Sequence, residues 1–332
     1  MARTIQIKAA VERYLKERRP DVSDSTLYNH SSQLKQFIEW CEASDDRPTN
    51  VGDIDGWVVS DFKMDRREDL SDTSIYNQMS VIRLFTKWCE SRGLLEDVSQ
   101  NILMPEIEDG AKEELLDPDK ARQILEYLEK YEYASLRHAL FAVLWTTGLR
   151  IGAVNSLDVS DYHSDGRYLN VAHRPSNGTN LKNKYEGERE VNLHDWVCEI
   201  VEDYIEAKRT DAVDDFGRSP LFSTDQGRAH RTTLRKKITT LTRPCVYTND
   251  CPHDRVIEEC EATEYNNACK CPSSVSPHPL RRSAITNFLN QGHSKELVSD
   301  RMDVSVSVIE AHYDGRTEDE KRKVRREMFE ME

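Results

Sequence analysis

The sequence predicts a mainly α-helical protein with one small antiparallel β-sheet confined to its second domain. Three observations carry this. Apolar residues recur at helical spacing through residues 4–108. A stretch with prolines, acids and little periodicity, residues 101–118, then interrupts the chain. Beyond it a single region, residues 157–193, alternates as strands do before helical spacing resumes. At 332 residues the chain is long enough for two domains, each with its own core, which we place at 1–108 and 109–332.

The elements follow in order. Ile5, Ala9, Val11 and Leu15 fit a first helix ending near Pro20. Ser25 is the expected cap of a second, with Leu27, Leu34, Phe37 and Trp40 at helical spacings. Asp72 or Thr73 caps another, which carries Ile75, Met79, Ile82, Phe85 and Trp88 on one face and has Gly93 just past its end. The endings FIEWCE (37–42) and FTKWCE (85–90) are alike, and we read them as shared helix-packing chemistry rather than a repeat. In the second domain, Asp117 or Asp119 caps a helix through Tyr131, and a strongly apolar helix runs from Leu136 to about Thr146. RYLNVAH (167–173) and REVNL (189–193) are strands, Asn177-Gly178 is a turn dipeptide, and LKNKYEGE (181–188) is a polar, lysine-bearing connection. Helices are expected from Trp196 to about Arg209, from Thr232 to Leu241, and from Leu280 onward with interruptions.

Composition bounds the function. The net charge of −14 is evenly spread, with 14 basic and 21 acidic residues in 1–110 and 32 and 39 in 111–332, so it belongs to the whole surface. Such a surface is a poor non-specific ligand for polyanions. It suits a salt-rich cytoplasm, where screening acts over a few Å, and only 17 of the 46 basic residues are lysines. The longest apolar run, Ala139–Trp145, has seven residues, far short of the ~20 a membrane span needs. The opening MARTIQIKAAVERYLKERRP has no apolar signal-peptide segment. Both observations speak against an integral membrane or secreted protein, and the expected location is cytoplasmic. Disulfides are then not expected, although five of the eight cysteines fall between Cys245 and Cys271.

Three short motifs carry chemistry. Thr147-Gly148-Leu149-Arg150-Ile151-Gly152 puts an arginine directly after the apolar helix, an unfavourable place for a charge without a partner. Its guanidinium can bind an oxyanion in bidentate fashion. His278-Pro279-Leu280-Arg281 reads as a helix start, with His278 and Arg281 three apart and able to face one site. His312-Tyr313 precedes a charged C-terminal helix.

In this order, behind a helical bundle, these motifs resemble the tyrosine recombinase, or phage integrase, family over nearly the whole chain. The acid excess makes it a haloarchaeal-like member. The resemblance implies a helical core-binding DNA-binding domain at 1–108 and an α+β catalytic domain at 109–332. It further implies a site-specific recombinase that cleaves and rejoins double-stranded DNA through a 3′-phosphotyrosyl intermediate, as a homotetramer and without a cofactor for catalysis. By resemblance, Arg150 and Arg281 clamp the phosphate, His278 helps in acid–base transfer, Tyr313 is the nucleophile, and a lysine on the strand connection, Lys182 or Lys184, is the general acid. The chemistry suits these groups: two arginines stabilise an anionic transition state, a tyrosine hydroxyl keeps the bond energy in an ester, and a lysine or histidine moves protons. Two other readings are an inactive DNA-binding descendant of the family and an enzyme that only relaxes supercoils.

Two departures stand out. Asp303, within Arg301-Met302-Asp303-Val304-Ser305, sits where the family has a histidine or tryptophan, and Ala153 sits where it often has an acid. An ionised Asp303 can accept a hydrogen bond within the site but cannot donate one to phosphate. The segment near 243–273 reads as a cysteine-rich insertion in which four of six candidates hold a structural zinc: Cys245, Cys251, Cys260 and Cys271, with His253 and Cys269 as replacements. The run KRKVRR (321–326), Arg18-Arg19 and Arg66-Arg67 are either DNA contacts or solvated charge.

Overall fold

A computed structural model describes residues 5–106, 115–314 and 316–330, with side chains to 326 in the last stretch. The chain divides into two compact units, Met1–Lys112 and Glu113–Glu332. Within the connection expected at 101–118, residues 107–114 lie outside the described residues. Among the described residues no helix is long and apolar enough to cross a membrane.

Among the described residues the first unit has four α-helices, α1 (Ile7–Arg18), α2 (Asp24–Glu42), α3 (Gly56–Arg67) and α4 (Asp72–Glu90). Their buried faces meet in one core that includes Tyr14, Leu34, Phe37, Phe62, Ile82 and Phe85. In α1 the buried face is Ile7, Ala10, Val11 and Tyr14, so Ala9 and Leu15 lie on its flank.

Two expectations about this unit are corrected. The caps are Ser23 and Ser71, whose hydroxyls accept from the backbone N–H of Thr26 and Ser74; Ser25, Asp72 and Thr73 lie inside the first turn. There, Asp24 and Asp72 place an acid against the positive end of the helix dipole. The second correction concerns FIEWCE and FTKWCE. They end two helices of 19 residues each, and residues 23–42 and 71–90 correspond position for position from Ser-Asp through Tyr-Asn to Trp-Cys-Glu. Each is preceded by a 12-residue helix. The shared ending belongs to a repeated helix pair whose equivalent residues Leu34 and Ile82, Phe37 and Phe85, and Cys41 and Cys89 are all buried.

The second unit is built round α6 (Leu136–Thr147), in which every residue from His138 to Thr147 is buried. A helix buried all round, with an apolar run from Ala139 to Trp145, needs cover on all sides. The cover comes from α5 (Pro118–Tyr131, capped by Asp117), α8 (Asp195–Asp203), α9 (Arg231–Leu241) and α11 (Pro277–Asn290). A short α7 (Ile151–Ser156) follows α6. The sheet β1 (Tyr162–His163), β2 (Tyr168–Val171), β3 (Arg189–Asn192) is antiparallel, with Leu169 opposite Val191 on the buried face. A two-stranded ribbon, β4 (Ser223–Thr224) and β5 (Gly227–Arg228), adjoins the start of α9.

The cysteine-rich segment holds one turn of helix, α10 (Pro244–Tyr247), and three 3-10 turns between Ile257 and Lys270. The C-terminal part comprises α12 (Lys295–Met302), α13 (Val306–Val308), a π-turn at Ile309–Tyr313 and α14 (Glu318–Glu330). Its Val298, Met302, Val304, Ile309 and Tyr313 form a small separate core with Ile285 and Leu289 of α11. In α14, Lys321, Arg322 and Lys323 pair with Glu318 and Asp319 of the same helix, which accounts for half of the KRKVRR run.

Candidate active site

The site begins where α6 stops. Gly148 ends the helix with φ +59°, and a Cβ there would stand 2.6 Å from the Met302 sulfur. Glycine is required by both the left-handed backbone and the close approach. The turn delivers Arg150 to the N-cap position of α7, with its side chain about a quarter exposed.

Arg281 comes from α11, whose first residue is Pro277, one step before His278 rather than at Pro279. Proline is tolerated at Pro277 and Pro279 alike because the first-turn N–H groups have no partners within the helix. Arg281 is 2% exposed. Its Nη1 donates to the Gly148 carbonyl at 2.6 Å and its Nη2 to the Met302 carbonyl at 2.8 Å. Its buried Nε has no partner, and among the described residues no carboxylate pairs with it. Burial and the neighbouring Arg150 bring its pKa down to about 10, so it remains cationic at neutral pH.

Tyr313 is 8% exposed and held by Thr286 Oγ1, which donates to its carbonyl at 2.9 Å. Its ring centre is 5.9 Å from the Arg281 guanidinium carbon and 5.9 Å from the His278 ring, which meets it at 70°. His278 is open at the mouth of the cleft. Packing around its ring, then Arg281, Lys182 and Arg150, hold it below the usual histidine range.

These residues line one cleft of about 450 Å³. Arg150, Lys182, His278, Arg281, Asp303 and Tyr313 all border it; Lys184, two residues along and with φ +53°, does not. Asp303 accepts from Arg150 Nη1 at 2.5 Å and from Asn183 Nδ2 at 2.7 Å.

Sequence reasoning missed three contributors. Arg189 opens β3, borders the cleft and stands 4.0 Å from Asp303. Arg231 opens α9 and reaches the same cleft beside Gly152. Asn183 ties the lysine-bearing turn to Asp303. The one signal available for the two arginines was their place at the first position of an element; Asn183 carried none.

The cysteines behave differently from the expectation. Cys245, Cys251, Cys260 and Cys271, together with His253, line a single small cavity, while Cys269 is exposed. All the thiols are free, and His253 Nε2 lies 3.0 Å from Ser273 Oγ. Among the described residues no three cysteine, histidine, aspartate or glutamate side chains form a group that could hold a metal ion, so the expected zinc centre is not assembled in these positions.

A model of the phage integrase family matches residues 114–314. Among solved structures, the Tn1549 transposon integrase in complex with transposon right end DNA is similar over 98% of this chain and 99% of its own, at 14% identity and a TM-score of 0.72. A lambda integrase dimer bound to a COC′ core site is similar over 95% of this chain and 79% of its own, at 14% identity and a TM-score of 0.66. A lambda integrase tetramer bound to a Holliday junction covers 96% and 80%, at 14% identity and a TM-score of 0.65. At these identities the likeness is one of fold. No curated protein matches the sequence.

Proposed function

Because the chain belongs to the phage integrase family, we propose that it is a site-specific tyrosine recombinase that cuts and rejoins double-stranded DNA through a 3′-phosphotyrosyl intermediate. The observation that carries the reading is Arg281, a buried guanidinium with an unpartnered Nε and, among the described residues, no carboxylate paired with it, facing a tyrosine. A buried cation without a counter-ion is costly. A phosphate oxyanion supplies the missing charge and acceptor.

The mechanism follows from the groups in the cleft. Arg150 and Arg281 hold the non-bridging oxygens and stabilise the charge that builds in the transition state. The Tyr313 oxygen attacks phosphorus, a phosphorus–tyrosine ester bond forms, and the bond to the 5′-oxygen breaks. His278, neutral because its pKa is lowered, takes the tyrosine proton. Lys182, at the cleft wall, gives a proton to the departing 5′-oxygen. Attack by a 5′-hydroxyl on the phosphotyrosine reverses these steps, so rejoining needs no outside energy. Each chain carries both the clamp and the nucleophile within one unit, and exchange between two duplexes needs four cuts. A homotetramer on two sites follows from that count, and the lambda integrase tetramer on a Holliday junction supports it. The even acid excess supports a salt-adapted cytoplasmic setting.

A finer part of the proposal is zinc in the cysteine-rich segment. Its support is the shared cavity of the four cysteines and the scarcity of buried apolar residues in a segment made of short turns. The thiolates must close further round the ion than they stand. Elemental analysis of purified protein tests it: about one zinc per chain, lost in Cys245→Ser, supports it, and metal-free folded protein refutes it.

The main test is a nicked suicide substrate. The wild type should trap DNA covalently and Tyr313→Phe should not. No adduct from the wild type means a DNA-binding protein without catalysis; an adduct with relaxation but no strand exchange means a supercoil-relaxing enzyme.

A further inference from the structure

Of the arginines that border the cleft, Arg150 and Arg281 are not equivalent. Among the described residues Arg281 has backbone carbonyls as hydrogen-bond acceptors and no carboxylate, whereas Arg150 already has one, that of Asp303 at 2.5 Å. That carboxylate is wedged in place. Its Oδ1 takes the Asn183 amide at 2.7 Å, and a Cβ on Gly187 would stand 3.2 Å from Oδ2, the oxygen that binds Arg150. The backbone at Asp303 is left-handed, φ +53°, at the C-cap of α12. Glycine adopts that conformation without strain and asparagine tolerates it well. The cap alone therefore gives no reason for a carboxylate. Its negative charge is what distinguishes the residue, and it lies against the group that must bind phosphate. One turn thus serves both arginines: the Met302 carbonyl holds Arg281 and the Asp303 side chain holds Arg150.

We propose that Asp303 is an internal stand-in for the substrate anion, a carboxylate that keeps Arg150 oriented in the free protein and must yield it when the scissile phosphate arrives. This rests on the reading of the cleft as a phosphodiester site. Asp303 is a positioning residue: it acts through Arg150 and sets how much of the clamp's attraction is available to DNA. Two anions a few Å apart repel, so phosphate binding is weaker by the cost of separating or sharing the existing pair. The device makes tight binding depend on a site whose other contacts are strong enough to displace the carboxylate.

The test uses the full chain in a Tyr313→Phe background, where binding is read without cleavage. Asp303→Asn keeps the shape and removes the charge; Asp303→Gly removes the carboxylate and relieves the backbone. Both should bind a duplex carrying the cleavage site more tightly than the parent by about tenfold or more at equal salt. Inorganic orthovanadate, a phosphate analogue, should raise the thermal midpoint further in both variants than in the parent. Unchanged or weaker binding in both variants overturns the proposal, because a purely structural Asp303 predicts no gain in either. A failure of the wild type to form a covalent adduct would instead strike at the recombinase reading, and is measured separately.

Discussion

Arg281 lies with its guanidinium carbon 5.9 Å from the ring centre of Tyr313, at 2% exposure, and is bound through its outer nitrogens to the Gly148 and Met302 carbonyls. This relationship makes the arginine a fixed donor that need not reorganise as charge develops. Arg281→Ala should lower the cleavage rate by about 10²–10³-fold, the ~3–4 kcal/mol that one preorganised donor contributes. Arg281→Lys should recover only part, since an ammonium cannot span two carbonyls and an oxyanion. Single-turnover adduct formation reads both, and near-normal cleavage by Arg281→Ala would remove the clamp from the mechanism.

Lys182 borders the cleft and is among the cations that lower the pKa of His278; Lys184 borders neither. Lys182→Ala should slow cleavage of ordinary DNA by about 10²-fold or more. It should slow cleavage far less when sulfur replaces the leaving 5′-oxygen, because that group departs without a proton. Rescue of Lys184→Ala and not of Lys182→Ala would move the role two residues along.

His278 is pushed below the usual histidine range, first by the packing round it and then by Arg281, Lys182 and Arg150. Its base form therefore persists below pH 6.5, the ordinary value. The kcat/KM for adduct formation should be level above that pH and fall only at more acid values, as the ring gains a proton. His278→Ala should be slower throughout and lose this acid limb. A limb that survives in His278→Ala would assign the titration to another group.

Asp214 belongs to an ion-pair network with Arg218, Arg228 and Asp158, all under a sixth exposed at the side chain. Burial alone would raise its carboxyl, but the hydrogen bond from Arg228 and those from the Arg218 and Phe216 backbones outweigh burial and bring it to about 2. A carboxyl held below its ordinary value stabilises the fold above about pH 4 and stops doing so as pH falls towards 2. Urea titrations from pH 5 to 2 should show this loss. Asp214→Asn should cost about 3 kcal/mol at neutral pH, because two largely buried guanidinium groups lose a shared anionic partner, and should lose stability less steeply in acid. Equal acid slopes for both proteins would place the titration elsewhere.

Much of the architecture was legible along the chain. The helix from Asp117 to Tyr131, the apolar helix after it and the strands near 168–171 and 189–192 stand where spacing put them. Boundaries were less legible. Ser23 and Ser71 cap where Ser25 and Asp72 or Thr73 were expected, because neighbouring polar residues are all competent caps and the path of the entering chain selects among them. The repeated helix pair escaped notice because its identities gather at the two ends of a 20-residue stretch, and between them only Ser32 and Ser80 match.

By itself the sequence determined which polar and charged groups are available to the cleft, and that Arg150, His278, Arg281 and Tyr313 lie at helix ends and turns where such groups can be presented. Those properties depend on residue type and on spacings of a few positions, which local periodicity and capping encode. Only the tertiary structure decided which lysine borders the cleft, that Arg189 and Arg231 join it, that the four cysteines share a cavity without forming a ligand group, and that Asp303 holds Arg150. The last pair is separated by 153 positions. Contacts at that range are set by how α6, α11 and α12 pack against one another, and no local pattern carries that information.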